Sequence, residues 1–154
     1  MSVQKTVREQ YRTIVDRAAS RISNIRTPSE GWIVTVRKAL GMSGAQLARR
    51  LGVTRAAVLQ KEKNELTGNI TLKQMQNTAE ALGCRFVYAI VPKGRIKDVV
   101  AEQAERKATK IVCRASGHMA LESQSLPPNK IKKEITRSRD DLIRDMPFDF
   151  WEDK

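Results

Sequence analysis

Gly52 stands between two short amphipathic segments, and no other feature constrains the fold of this chain as tightly. Within Met42 to Asn64, Leu47, Ala48 and Leu51 fall on one face of a first helix. Ala57 and Val58 turn inward from a second. Helices this short share a core only if they cross steeply, and a glycine supplies the tight turn that the crossing needs. Thr54 is placed to cap the second helix, which therefore starts near Arg55, and Ala48 is small enough to let the two approach closely.

With Ala57 and Val58 turned in, the outward positions are Arg55, Ala56, Leu59 and Gln60, with Lys63 one turn further on. A helix held in this way is what small domains present to the DNA major groove. Those five residues are therefore the candidates for base edges and phosphates. Arg55 and Gln60 are also ordinary solvated helix formers, and only the turn chemistry around them raises them above that plainer reading.

Charge agrees with a nucleic-acid partner. Lys and Arg number 29 against 17 Asp and Glu, a net +12 with a pI near 10.2. Such a chain attracts a phosphate backbone in a salt-dependent way. The last fifteen residues differ, with six acids against two bases, which leaves 27 bases against 11 acids in residues 1–139.

At 154 residues the chain has room for one small domain plus extensions. No apolar run approaches membrane-spanning length and the start lacks a signal-peptide core, so a soluble cytoplasmic protein is expected. Cys84 and Cys113 are far apart and lack metal-ligand spacing. They read as reduced thiols, with Cys84 in the core, and with His118 the only histidine neither a metal nor another cofactor is expected. No catalytic residues stand out. There is no glycine-rich phosphate loop, and scattered carboxylates leave a metal-dependent nuclease as the only enzymatic alternative.

Ahead of the motif, Val7, Tyr11, Ile14, Ala18, Ile22 and Ile25 predict an amphipathic helix over about residues 3–25, packed on its own domain or forming a seam with a partner. Thr27 or Ser29 is then expected to cap a helix carrying Trp32, Ile33, Val36 and Leu40. Beyond the motif, Thr71 to Leu82 reads as a helix burying Leu72, Met75, Ala79 and Leu82, stopped by Gly83. Residues 84–92, rich in β-formers, read as the one strand of the chain. A lone strand must pair elsewhere, and the simplest source is a second copy, giving a homodimer through residues 84–92 and a palindromic operator. A helix follows from Arg95 to Ala115, broken at Ser116-Gly117, then a turn at Pro127-Pro128 and a charged helix from Ile131 to Arg144. The acidic tail concentrates Phe148, Phe150 and Trp151, which suits docking to a partner protein or to this protein's own basic surface.

Arg37, Leu40, Gly41, Met42, Ser43, Gly44, Leu47, Ala48, Leu51, Gly52, Val53 and Thr54 resemble the Cro/cI-like (phage-repressor) helix-turn-helix family over roughly residues 31–82. That resemblance implies a five-helix unit and a buried or half-buried pair between Arg37 and Glu62. Gly44 stands where the family has a phosphate-touching glutamine, so that clamp is missing or made by Gln46 or Arg49. Lys61 replaces a core leucine or tryptophan. Ser43, Gln46, Arg49 and Thr54 join Arg55, Ala56, Leu59, Gln60 and Lys63 as the DNA-binding set.

A narrower resemblance runs through Gly31-Trp32-Ile33, Arg37 to Ala48, Thr71-Leu72-Lys73, Ala79 to Cys84, Phe86 to Ala89 and His118 to Glu122. These segments look like the family called mobile mystery protein A, whose members are encoded beside a Fic-domain protein. It implies an antitoxin that neutralises an AMP-transferring Fic toxin and represses its own operon. The Ser/Thr-x-x-x-Glu-Gly/Asn segment of many Fic inhibitors is absent.

The expectation is a mostly α protein. It comprises an N-terminal helix (1–27), a helix-turn-helix domain (28–83), a dimerisation strand (84–92), a helical extension (93–126), and a charged helix with acidic aromatic tail (127–154). The expected function is a DNA-binding repressor and antitoxin. A stand-alone regulator with a cis-acting tail and a protein-binding antitoxin without DNA recognition are the alternatives.

Overall fold

A computed structural model describes residues 2–121 and 126–153, in which there are seven helices and no strand. They are α1 (Val3–Ile22), α2 (Trp32–Ala39), α3 (Gly44–Leu51), α4 (Arg55–Thr67), α5 (Leu72–Ala81), α6 (Ile96–Leu121) and α7 (Pro128–Asp145). The chain divides into two compact units, Ile22–Ala89 and a discontinuous one built from Met1–Arg21 and Ile90–Lys154.

The first unit holds α2 to α5 around Ile33, Leu47, Ala48, Val58, Met75 and Leu82, with Val36, Met42, Leu51, Ile70, Ala81 and Phe86 packed on them. Residues 31–82 thus carry four helices rather than the five expected. Local chemistry ends each element. Thr71 and Gln74 form a reciprocal capping box at the start of α5, and Gly68 and Gly83 close α4 and α5 in the left-handed region. Leu72 is exposed rather than buried because it is the first residue of α5, pointing away from the core that Met75 and Thr78 face.

Neither Thr27 nor Ser29 caps α2. The N-cap is Gly31, without a side chain to offer, and Glu65 at the far end of α4 takes that role instead: its carboxylate accepts from Trp32 N at 2.6 Å and from Ile33 N at 3.0 Å. A carboxylate at a helix N-terminus satisfies orphan donors and opposes the helix dipole.

Residues 84–92 form no strand. Ladder hydrogen bonds define a strand, and among the described residues no second extended segment pairs with this one. Phe86 and Tyr88 stack at 5.8 Å between ring centroids, while Val87, Tyr88 and Ile90 are exposed. Cys84, expected in the core, is exposed. Leu82 fills the core at this point, and the turn at Gly83 carries the next residue out.

In the second unit, α6 and α7 pack together around Val100, Ala104 and Phe150, supported by Ile96, Leu142, Ile143 and Met146. α6 runs through Ser116-Gly117, where a break was expected. Gly117 in a helix costs about 1 kcal/mol relative to alanine, which a 26-residue helix absorbs. α1 joins this unit, not the helix-turn-helix. Asp16 accepts from Ile96 N at 3.0 Å, and Arg8 and Arg12 reach the Met146 sulfur. Val3, Val7, Tyr11 and Ile14 stay exposed along one stripe. No helix among the described residues is long and apolar enough to cross a membrane.

Candidate nucleic-acid interface

α3 begins with a complete capping box. Ser43 Oγ accepts from Gln46 N at 3.1 Å, and Gln46 Oε1 accepts from Ser43 N at 2.7 Å. It ends at Gly52, whose φ of +67° lets Gly52 N and Val53 N return to the last turn, Val53 N donating to Ala48 O at 3.0 Å. Two residues later Thr54 Oγ1 accepts from Ala57 N at 3.1 Å and α4 starts at Arg55. Leu47, Ala48 and Val58 are fully enclosed between the helices, so the crossing is held by both its turn and its core.

A charged brace locks α2 to α4. Arg37 Nε donates to Glu62 Oε1 at 2.8 Å, with the two side chains 15 % and 10 % exposed, and a second guanidinium nitrogen donates to Met42 O at 3.1 Å. This is the pair that the Cro/cI-like resemblance implies. It explains how the charged Glu62 is buried on α4. Lys61 is half-buried, while Val58 and Glu62 take the enclosed positions of α4.

All nine proposed DNA-contacting residues, Ser43, Gln46, Arg49, Thr54, Arg55, Ala56, Leu59, Gln60 and Lys63, are exposed. Ser43 and Gln46 lie at the start of α3, Arg49 in its last turn and Thr54 at the start of α4, and the last five lie on α4. Among the described residues Arg49, Arg55 and Lys63 form no ion pair, so their charge is uncommitted. Gln46 spends its carbonyl on the capping box, which leaves its amide N–H groups as outward donors. Gln60 Nε2 donates to Asn64 Oδ1 at 2.8 Å, an arrangement that holds the Gln60 amide in one orientation. Sequence pattern alone does not single out Asn64 or Glu65. Gln60 to Asn64 is an i,i+4 helix pair readable in retrospect, whereas no local signal links Glu65 to Gly31. Arg50 faces the other way, bonding Ala81 O at 2.6 Å, and is structural.

The three tail aromatics separate. Phe150 is 1 % exposed, a core residue of its own unit and not a free docking anchor, whereas Phe148 is 99 % exposed and Trp151 55 %. The Phe150 and Trp151 rings meet edge to face at 4.9 Å. Gln103 Nε2 donates to Phe150 O at 2.9 Å, Lys107 bonds both the backbone carbonyl and the carboxylate of Asp149, the latter at 3.3 Å, and Lys110 reaches Asp153 O at 3.4 Å. The tail is thus ordered on α6. Among the described residues no cluster of three or more His, Cys, Asp or Glu is placed to hold a metal.

The Helix-turn-helix family model matches residues 33–88. No curated protein and no solved structure matches the chain. The match spans α2 to α5 and the extended segment after them, the same elements that the capping boxes, the Gly52 turn and the Arg37–Glu62 brace organise. Residues 33–88 are a Cro/cI-like helix-turn-helix domain, and a domain of this kind points to a DNA-binding regulator.

Proposed function

We propose that this chain is a non-enzymatic, sequence-specific transcriptional repressor that binds a palindromic operator as a homodimer. We further propose that it acts as the antitoxin of a Fic-domain toxin and represses its own operon. One observation carries the DNA reading: α4 is fixed by a capped crossing and a buried ion pair, with Arg55, Ala56, Leu59, Gln60 and Lys63 all left on its solvent side. In this reading Arg55 and Gln60 read base edges, Leu59 and Ala56 meet thymine methyls, and Ser43, Gln46, Arg49, Thr54 and Lys63 hold phosphates.

The dimer reading is supported by residues 84–92, an irregular segment rich in β-formers, with exposed Val87, Tyr88 and Ile90, that would gain ladder partners from a second copy. The antitoxin reading rests on the family resemblance of the sequence, and Phe148 and Trp151 are the outward aromatics it would offer a toxin. A second reading, a stand-alone regulator whose tail acts in cis, is favoured by the attachment of the tail to Lys107 and Gln103 of its own unit.

The test is binding of the full chain to a labelled fragment from upstream of its own start codon, in about 150 mM salt with competitor DNA, since low salt lets any basic protein bind. A dimer-sized footprint lost in R55A/Q60A supports the repressor. Diffuse binding erased by salt refutes it. Co-purification of the neighbouring Fic-domain protein with the wild type but not with F148A/W151A supports the antitoxin reading, and unchanged co-purification assigns the partner to another surface.

A further inference from the structure

The α6–α7 hairpin is electrically polar along its length. Arg139 meets Glu105 at 3.4 Å, and Leu142 and Ile143 pack with Val100 and Ala104, which sets an antiparallel register. Following that register nine residues toward the connecting segment brings Lys130 level with Arg114. The half of the hairpin nearest the connection, residues 106–121 and 126–137, then holds eight Lys and Arg against one Glu. The other half, residues 96–105 and 138–145, holds three against six Asp and Glu, and the acidic tail beyond it runs back along α6 to Lys107 and Lys110. Each helix carries this segregation along its own sequence, and the antiparallel register lays the basic end of one beside the basic end of the other.

At the basic end Arg114, Lys130, Lys132, Lys133 and Arg137 are exposed and form no ion pair among the described residues. Lys132, Lys133 and Arg137 line one groove along α7, which ends at Asp140 and Asp141. Arg139, just beyond, is engaged by Glu105 and Asp140. Lys107 and Lys110 are occupied by the tail. Of the hairpin's cations that form no ion pair among the described residues, all but Lys97 therefore lie in the half nearest the connection.

We propose that this basic end is a second nucleic-acid contact, gripping the phosphate backbone of duplex DNA without reading its sequence. Rows of Lys and Arg free of aromatics suit a polyanion, whereas the buried centres of protein interfaces are depleted of Lys and enriched in aromatic residues. The hairpin would add affinity and salt dependence, and α4 the preference. The proposal extends the DNA-binding reading but does not need base recognition.

The experiment uses the full chain and a duplex of random sequence, about 30 base pairs long, with binding followed by fluorescence anisotropy across roughly 50 to 250 mM salt. Every phosphate that a variant leaves unneutralised lowers the slope of log K against log salt by about 0.9, so K130A/K132A/K133A/R137A is expected to lower it by roughly 3 to 4 units and to weaken binding at 100 mM salt by at least about tenfold. K130R/K132R/K133R is expected to bind as wild type, which ties the loss to charge, and an unchanged thermal melt of the alanine variant excludes a folding defect as its cause. An unchanged slope overturns the proposal. So does an equal loss in the arginine variant. A change in sedimented mass with random-duplex binding intact also overturns it, by making the basic end a site for the acidic end of a second copy. The two DNA claims fail separately: a wild type without operator preference whose salt slope still depends on these four residues refutes base reading and supports the hairpin contact.

Discussion

Gly31→Ala tests the cross-helix cap most directly. Gly31 sits at φ +85° and ψ 165°, a region almost confined to glycine, and forcing a side chain into it costs on the order of 1–3 kcal/mol. A Cβ built there lies 2.8 Å from Glu65 Oε2 and 3.0 Å from Glu65 Cδ, too close for the carboxylate to stay. Moving Glu65 releases Trp32 N and Ile33 N, and loss of a cap is worth about 0.5–2 kcal/mol. The expected destabilisation of the helix-turn-helix unit is therefore about 2–4 kcal/mol. The two tryptophans make it measurable, because Trp32 belongs to this unit and Trp151 to the other. In a Trp151→Phe background, urea unfolding followed by tryptophan emission reports the unit with Trp32 alone. The clash makes a further demand. In a Glu65→Ala background Gly31→Ala should cost only the backbone strain, so the two changes should couple by about 1 kcal/mol. A Gly31→Ala cost within about 0.5 kcal/mol of zero, or strict additivity with Glu65→Ala, would refute this reasoning.

Removing one member of the Arg37–Glu62 pair leaves a largely enclosed charge and should cost the same unit roughly 3 kcal/mol, with the double change Arg37→Met, Glu62→Leu recovering much of it in the same unfolding assay. Phe150→Ala should destabilise the second unit by about 3–5 kcal/mol, whereas Phe148→Ala should leave it within about 0.5 kcal/mol, as read by Trp151 emission in a Trp32→Phe background. Gly117→Ala should stabilise α6 by up to about 1 kcal/mol, seen as slower amide exchange across residues 112–121, since the new methyl meets no atom within 4 Å.

What could be read in the sequence was chemistry acting over one turn of chain. Thr54 and Gly52 announce their cap and turn because their partners lie two to four residues away, and the faces of α3 and α4 follow from helical period. Arg37–Glu62, 25 residues apart, came from the family resemblance and not from any pattern in the residues. Long-range partners left no trace. Gly31 needs a carboxylate from the end of α4, so Thr27 and Ser29 looked like better caps. Phe150 looked like an exposed anchor because its pocket lies some fifty residues earlier, at Val100 and Ala104. Residues 84–92 have the composition of a strand, yet pairing is a property of two segments and composition describes one. The charge polarity of each hairpin helix is in the sequence, but that their basic ends lie side by side needs the register of α6 on α7, which Arg139 and Glu105 reveal only once folded.

The helix-turn-helix unit is an insertion in the other unit: residues 1–21 and 90–154 belong to one compact unit, with 22–89 spliced between them. Synthesis from the N-terminus gives this splice an order in time. α1 is made before α6 and α7, the helices it packs against, and Phe150 closes their core only after α7 is complete. The helix-turn-helix fold, with its partners all between Ile22 and Ala89, completes before them. A nascent chain thus completes its helix-turn-helix unit before the unit that surrounds it in sequence.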